Sequence, residues 1–417
     1  MSLYTSSQFA SSAASGTDWR DTSRKVLESL EGARTEGDGF NFGFLYISDM
    51  LAEDAQSIVN LFRSVLGIEN WVGSVGIGIC GVGEDLIDVP AISAMIGRFG
   101  EGEFCLFPKT DNGPVREDGT PRHDLEHWLK DHEPMLGMVH GNPLEEEDPA
   151  NTLRQFAGLT GGFLVGGLSS ARGKHFQIRG SVVDGPLSGV VFSRGVPVAT
   201  SISQGCDPIG PAHTVTKADE HTIIELDGRS AVEVFEDDLR SMAIKKIDKD
   251  PNEIVLDDPD HIPEEFHTLL KGEMHVAFPV PGTDQNDFLV RNIIGMDPEE
   301  GTISVAQHVA HGESVLFVRR DDDTVKSDLS SCLLKLRERV MKETGGFNPK
   351  AAIYVSCVAR AFSNFGPMEK DKPPVPSGEM ALVREIIGDV PLAGFYAGGE
   401  ISNARLYGYT GVLTLFL

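Results

Sequence analysis

The feature that most constrains the fold of this chain is a unit that recurs. Phe44-Leu-Tyr-Ile-Ser48 reads as an apolar strand. Ile58, Leu61, Phe62, Val65 and Leu66 then keep helical spacing, Gly67 stops the helix, and Trp71 to Gly78 reads as a second strand. Near the C-terminus the same order returns in Ala352-Ile-Tyr-Val-Ser356, the helical run Leu382, Val383, Ile386 and Ile387, the stop Gly388, and Leu392 to Gly399. The first strands align at an offset of 308 and the helices with their second strands at 321, which pairs Gly67 with Gly388 and Gly73 with Gly394. The difference of 13 matches the Pro-rich segment Gly366 to Gly378, absent from the first copy. A weaker third copy runs from Met135 to Gly167, where Leu153, Phe156 and Gly158 precede Phe163-Leu-Val165. Duplication and chance recurrence of strand–helix–strand units both account for this much.

Such units imply an α+β (α/β mixed) fold with largely antiparallel mixed sheets flanked by helices. Between them lies a β-rich middle: Gly189 to Phe192, Pro197 to Gln204, His213 to Lys217 and Thr222 to Leu226, parted by Gly, Pro and Asp turns. A helical pattern follows from Ser230 to Arg240, so a domain boundary is expected near Asp227. The expected division is a flexible tail with a lead-in helix over 1–39, one domain over 40–227 and a second over 228–417. The acidic stretch Lys246 to Glu265, with three prolines, reads as a solvated loop.

Charge narrows the function classes. The chain has 417 residues and a net charge of −27, a field that repels phosphate backbones and anionic headgroups, so no nucleic acid is expected as partner. No apolar run approaches the ~20 residues of a spanning helix, so no membrane insertion is expected. The Ser- and Ala-rich N-terminus lacks the basic start and apolar core of a secretory signal. Five widely spaced cysteines without a C-x-x-C pair read as reduced thiols in a cytoplasm.

Several motifs carry chemistry. Gly76-Ile-Gly-Ile-Cys-Gly81 matches G-x-G-x-x-G, but a Gly-rich turn and an extended run to Pro90 follow it, so a tight hairpin is expected instead of a dinucleotide site. His123 and His127, with Glu126, have the i, i+4 spacing that brings two imidazoles to one metal; His308, His311 and Glu313 form a second cluster. Both read primarily as solvated faces, and no cofactor or metal is expected. Cys206 sits in the Gly- and Pro-fixed segment Gln204 to Pro211, and Ser169 and Ser170 lie in a Gly-Gly loop with no partner base evident in the sequence. Glu400 follows Gly398-Gly399 at one strand end, and Arg360 follows Cys357 at another. An acid and a guanidinium so placed either clamp the ammonium and carboxylate of an amino acid or pair with each other.

These segments resemble the FIST family of sensory proteins, which pair an N-terminal with a C-terminal FIST domain. The residues carrying the resemblance are Val72-Gly-Ser-Val-Gly76 with Gly83-Glu84, Val165 to Ser170, Gln204 to Pro211, Glu225 to Ala231, Ser356-Cys357 with Arg360, and Pro391 to Glu400. The resemblance implies a signal-input module that binds small ligands such as amino acids. About forty residues precede the first FIST strand, so a stand-alone form is expected, acting on a separate signalling protein. It supplies no catalytic residues.

The reading reached is therefore a cytoplasmic small-ligand sensor, with Ser169, Arg172, Cys206, Cys357, Arg360, Gly399 and Glu400 lining one pocket between the two domains. The alternatives are an enzyme using the thiol of Cys206 or Cys357 or a His-bound metal, and a scaffold without a ligand.

Overall fold

The computed structural model describes residues 3–6, 8–34, 39–107, 123–145, 149–247, 272–280, 287–362 and 376–417. The chain divides into two compact units. The first draws on Met1–Gln204, Leu329–Ser363 and Pro373–Leu417, and the second on Gly205–Asp328.

The first unit is one pattern used three times. After the short β1 (Tyr4–Thr5), the first copy comprises β2 (Phe9–Ser15), α1 (Trp19–Arg34), β3 (Phe42–Ser48), α2 (Ala55–Leu66), β4 (Asn70–Gly76), the hairpin β5 (Gly78–Gly81) and β6 (Glu84–Ile87), and β7 (Ala91–Gly97). The second repeats the order with β8 (Phe104–Phe107), α3 (His123–Asp131), β9 (Pro134–Gly141), α4 (Pro149–Thr160), β10 (Phe163–Leu168), the hairpin β11 (Gln177–Arg179) and β12 (Ser181–Val183), and β13 (Leu187–Ser193). The third begins at β14 (Val198–Ser203), after which the chain builds the second unit.

That unit contains β15 (Asp207–Pro208), β16 (His213–Asp219), β17 (Thr222–Leu226), β18 (Arg229–Ser230), α5 (Ala231–Ile247), β19 (Glu273–Pro279), β20 (Phe288–Asp297), β21 (Thr302–Val305) and β22 (Ser314–Arg320). Its strands run β22-β16-β17-β21-β20-β19, and β19 pairs with β22 again, so the sheet closes into a small antiparallel barrel. Closure removes the long open edges of a flat sheet. Val215, Ile223, Val276, Phe278, Ile303 and Phe317 pack together with Phe235 of α5. Asp227, where the sequence suggests a domain boundary, is the turn between β17 and β18 in this barrel unit.

The third copy resumes in α6 (Asp322–Thr344), which belongs to the first unit from Leu329 onward. It continues with β23 (Ala351–Cys357), α7 (Glu379–Ile387), β24 (Leu392–Ala397), the hairpin β25 (Glu400–Ser402) and β26 (Arg405–Tyr407), and β27 (Gly411–Phe416).

Each copy lays its strands in the same order around a parallel pair: β3 with β4, β9 with β10, β23 with β24. The hairpins are exchanged cyclically. That of the first copy extends the sheet of the third, that of the second extends the first, and that of the third extends the second. The three sheets face a common core, where Phe42 and Phe44 meet Met138, Phe192, Ile353, Val355, Phe395 and Phe416. Their outer faces are covered by helices: Leu45 and Ile47 lie with Val26, Leu30, Ile58 and Phe62 of α1 and α2. Strands buried on both faces must be apolar throughout, which is why β3 reads as a continuous hydrophobic run.

One glycine position marks the repeat. A Cβ on Gly73, Gly166 or Gly394 would land on the carbonyl oxygen of Leu45, Val139 or Tyr354 respectively, the cross-strand neighbour in each parallel pair. This registers Phe44 with Ile353, so the first strands correspond at an offset of 309 and not 308. The difference matters, since a slip of one residue turns every side chain to the other face. Ile353 shares the inner core with Phe44, whereas Ala352 packs on the helical side.

Two further expectations need correction or comment. The segment read as a flexible tail forms β2, whose full length pairs with β7. Its small residues disguise it: Ala10 and Ala14 pack under α1, and Ser11 Oγ accepts the Leu392 N–H at 2.9 Å. The G-x-G-x-x-G segment forms the end of β4 and the β5–β6 hairpin, as its context suggests. Lys246 and Ile247 of the stretch read as a loop end α5, and the rest of Lys246 to Glu265 and most of the Pro-rich segment lie outside the described residues. Among the described residues, no helix is long and apolar enough to cross a membrane.

Candidate functional site

Moving along the inner faces toward the carboxyl ends of the parallel strands, the core changes character. At one level the heads of the three rows, Phe44, Met138 and Ile353, are all apolar. Two residues further on, Tyr46, His140 and Val355 occupy equivalent positions. Residues paired across a sheet share a face, so each of these heads a row. The first sheet presents Ser93, Tyr46, Ser74 and Gln177; the second presents Ser188, His140, Gly167, Glu400 and Tyr407; the third presents Val412, Val355, Phe395 and Ile79. The rows meet: Tyr46 Oη lies 3.2 Å from His140 Nε2, and the Tyr46 ring stacks on Phe395 at 5.0 Å.

This level holds a concentration of unsatisfied polar atoms. Ser93 Oγ, Ser188 Oγ, His140 Nδ1, Gln177 Oε1 and Glu400 Oε1 are all buried, and none makes a hydrogen bond among the described residues. Buried polar atoms are paired in the large majority of cases because each one left bare costs about 1–3 kcal/mol. Five lie in this one layer. Gly167, between His140 and Glu400, contributes no side chain. His140 and Glu400 flank it from the two neighbouring strands, their Cα atoms about 10 Å apart by strand spacing.

The layer is electrically neutral near pH 7. Burial pushes the His140 imidazole down to about 3 and raises the Tyr46 phenol. It pushes Glu400 up to about 8, against the opposing pull of its hydrogen bonds from Thr410, of the Cys357 thiol and of the Arg360 charge. Glu400 Oε2 accepts from Thr410 N at 3.0 Å and Thr410 Oγ1 at 2.9 Å, which leaves Oε1 bare.

Beside the layer the charges are matched. Arg360 is fully buried; its Nε donates to Glu379 Oε1 at 2.6 Å, and Nη1 donates to the carbonyls of Ser203 and Tyr409 at 3.1 and 3.2 Å. Glu379 Oε2 accepts from Ser356 Oγ at 2.7 Å and Tyr354 Oη at 3.2 Å. Arg360 is thus paired, but with Glu379 instead of Glu400, and its guanidinium is engaged in the fold. Asp85 accepts from Tyr396 Oη at 2.6 Å; burial raises its carboxyl despite that bond. Burial, reinforced by Asp85 and Glu379, raises the Cys80 thiol, so it stays un-ionised.

The remaining sequence candidates fall in several places. Cys357 and Gly399 lie beside Glu400, with Gly399 O accepting the Leu168 N–H at 2.8 Å. Ser169 is buried at the end of β10, its Oγ 2.8 Å from His175 Nδ1, while Ser170 Oγ donates to Tyr396 O at 2.5 Å. The Ser169–His175 pair has the spacing of a nucleophile and base, but the serine is sealed from solvent. Arg172 points outward, forked on Asp49 at 2.8 Å and paired with Asp88 at 2.7 Å. Cys206 belongs to the barrel unit, whereas Cys357, Arg360 and Glu400 belong to the first. Among the described residues no three His, Cys, Asp or Glu side chains are grouped to hold a metal.

Tyr46, His140, Gln177 and Glu379 escape sequence reasoning. Tyr46 and His140 are polar letters inside largely apolar strands, the one local clue available; Gln177 opens the short strand Gln177–Arg179, and Glu379 follows the Pro-rich segment.

The tandem organisation decides the family. The FIST N domain matches residues 41–229 and the FIST C domain residues 231–403. The chain belongs to the FIST family. FIST domains are linked to sensing in signal transduction. The FIST N match takes in most of the first two copies, and the FIST C match takes in most of the barrel and of the third copy. The chain is also similar to an uncharacterized protein of Mycobacterium tuberculosis, MT0656, at 29% identity over 363 residues, 83% of each chain. It is 27% identical over 416 residues to an uncharacterized protein of Mycobacterium bovis, Mb0898c, covering 95% of this chain and 96% of that one.

Proposed function

We propose that this FIST protein is a cytoplasmic small-ligand sensor that binds an amino acid or related metabolite in the polar layer of its three-sheet unit and signals to a separate protein. The observation that carries the reading is the set of five bare, buried polar atoms beside Gly167. Ligand sites favour the carboxyl ends of parallel strands, where loops converge. An amine-bearing ligand suits Glu400 in particular: an ammonium at Oε1 favours the ionised carboxylate, which burial alone disfavours. The exchanged hairpins give such binding a route outward, since Gln177 and Glu400 belong to strands that tie one copy to the next sheet. None of the five cysteines is in a disulfide, which accords with a reducing compartment.

The test is a thermal-shift screen of amino acids, each beside its deaminated analogue, with wild type and Glu400→Gln. A true ligand at 100 times its Kd stabilises by about 2.7 kcal/mol. Its binding should release protons, seen as a calorimetric enthalpy that changes with buffer. A response to the deaminated analogue equal to that of the amino acid, an unchanged response in Glu400→Gln, or no response across the panel would sink the proposal.

A further inference from the structure

The barrel unit carries a second candidate site, independent of the polar layer. Arg291 on β20 is the Cα partner of Val276 on β19, which in turn partners Phe317 on β22. Cross-strand partners share a face, so the Arg291 side chain projects on the side of Val276 and Phe317, both core residues of the barrel. Two residues away on either side along the strand, Leu289 and Ile293 pack against that same core.

A guanidinium has five N–H donors and no acceptor. Arg291 uses one hydrogen bond, from Nη1 to the neighbouring Val290 carbonyl at 2.8 Å, and among the described residues no carboxylate faces it. Arg291 is half-buried, and the fully buried arginines are different: Arg319 pairs with Asp321, Arg320 with Glu273 at 2.9 Å, and Arg360 with Glu379. Burial with no compensating charge lowers the Arg291 guanidinium from its usual range, the sign of a cation held at a cost. β21 ends at Val305, and the last link to β20 is Ala306 N to Asn292 O at 3.0 Å, so among the described residues β20 has only β19 as a ladder neighbour at Arg291 itself.

We propose that Arg291 anchors a small organic carboxylate in the barrel, its two oxygens taken by the guanidinium fork and its apolar tail laid against Leu289, Phe278 and Ile293. The planar fork matches a carboxylate, and a monoanion neutralises the single cation. A phosphate dianion would leave an excess negative charge in a chain already at −27, with apolar side chains around it.

The experiment uses the full-length chain with sodium butyrate as probe, and sodium phosphate and sodium chloride at matched ionic strength as controls. Calorimetry and thermal unfolding are read for wild type, Arg291→Met and Arg291→Lys. Butyrate should bind wild type saturably, bind Arg291→Lys at least tenfold more weakly, and not bind Arg291→Met. Without butyrate, Arg291→Met should unfold no earlier than wild type, because methionine keeps the apolar stem and removes an unpaired charge. Equal binding to Arg291→Met, no saturable binding to wild type, or equal shifts with phosphate or chloride would overturn the proposal. So would an Arg291→Met variant that unfolds earlier than wild type without butyrate, which would make the arginine structural.

Discussion

Glu400 makes the sharpest demand on this structure. Its carboxyl is fully buried and burial carries it from 4.5 to about 8, so between those values the folded chain holds a proton that the unfolded chain releases. The sign follows from linkage: a raised folded value contributes stability that is fully present below pH 4.5 and lost as the pH rises through about 8. The shift corresponds to about 5 kcal/mol, of which about 3 kcal/mol is gone by pH 7. Glu400→Gln removes the ionisation while keeping an oxygen for the Thr410 donors. The variant should therefore match wild type near pH 4.5 and exceed it increasingly up to pH 9. Urea unfolding followed by tryptophan fluorescence isolates the effect, because Trp19, Trp71 and Trp128 all lie in the first unit. Wild type and variant running parallel from pH 5 to 9 would show that Glu400 is solvated or paired, and the neutral polar layer would fall with it.

In the barrel unit, both nitrogens of His213 face carboxylates, Asp227 Oδ2 at 2.7 Å and Asp238 Oδ2 at 3.0 Å. Burial alone would lower its imidazole, but the two carboxylates outweigh it and the value is raised. Its stabilising contribution should be complete below pH 6.5 and vanish as the pH climbs through the raised value; hydrogen exchange of β16 and α5 amides should show that loss in wild type and not in His213→Gln. For the Arg360–Glu379 pair, Arg360→Ala or Glu379→Ala alone should cost about 3–5 kcal/mol by stranding a buried charge, and an Arg360→Met, Glu379→Gln double variant should cost far less than the sum. Additive losses measured by urea unfolding would mean that the two groups are not coupled.

How much of this was legible without coordinates depends on how local each feature is. The strand–helix–glycine–strand units are written in contiguous periodicity, so the units themselves and the Gly73–Gly394 correspondence were readable from letters alone, whereas the parallel pairing within each unit came from the structure. Register was not, because Phe44 and Ala352 are equally apolar and only pairing across the sheet tells the inner from the outer face. The strand Phe9–Ser15 was hidden by its own packing: alanines and serines buried beneath a helix look like a tail when their neighbours are unknown. Glu400 stood out because it follows two glycines at a strand end. Its significance, and that of His140, Gln177, Ser93 and Ser188, comes from two sheets placing them at one level, each with a buried polar atom that makes no hydrogen bond among the described residues. The repeating unit and the family are written in the letters; the hairpin exchange, the barrel closure and the partner of Arg360 emerge only when the chain is folded. These depend on contacts between residues far apart in the chain, such as Ser203 with Arg360 or Gly167 with Glu400, and no local pattern of letters encodes a contact of that kind.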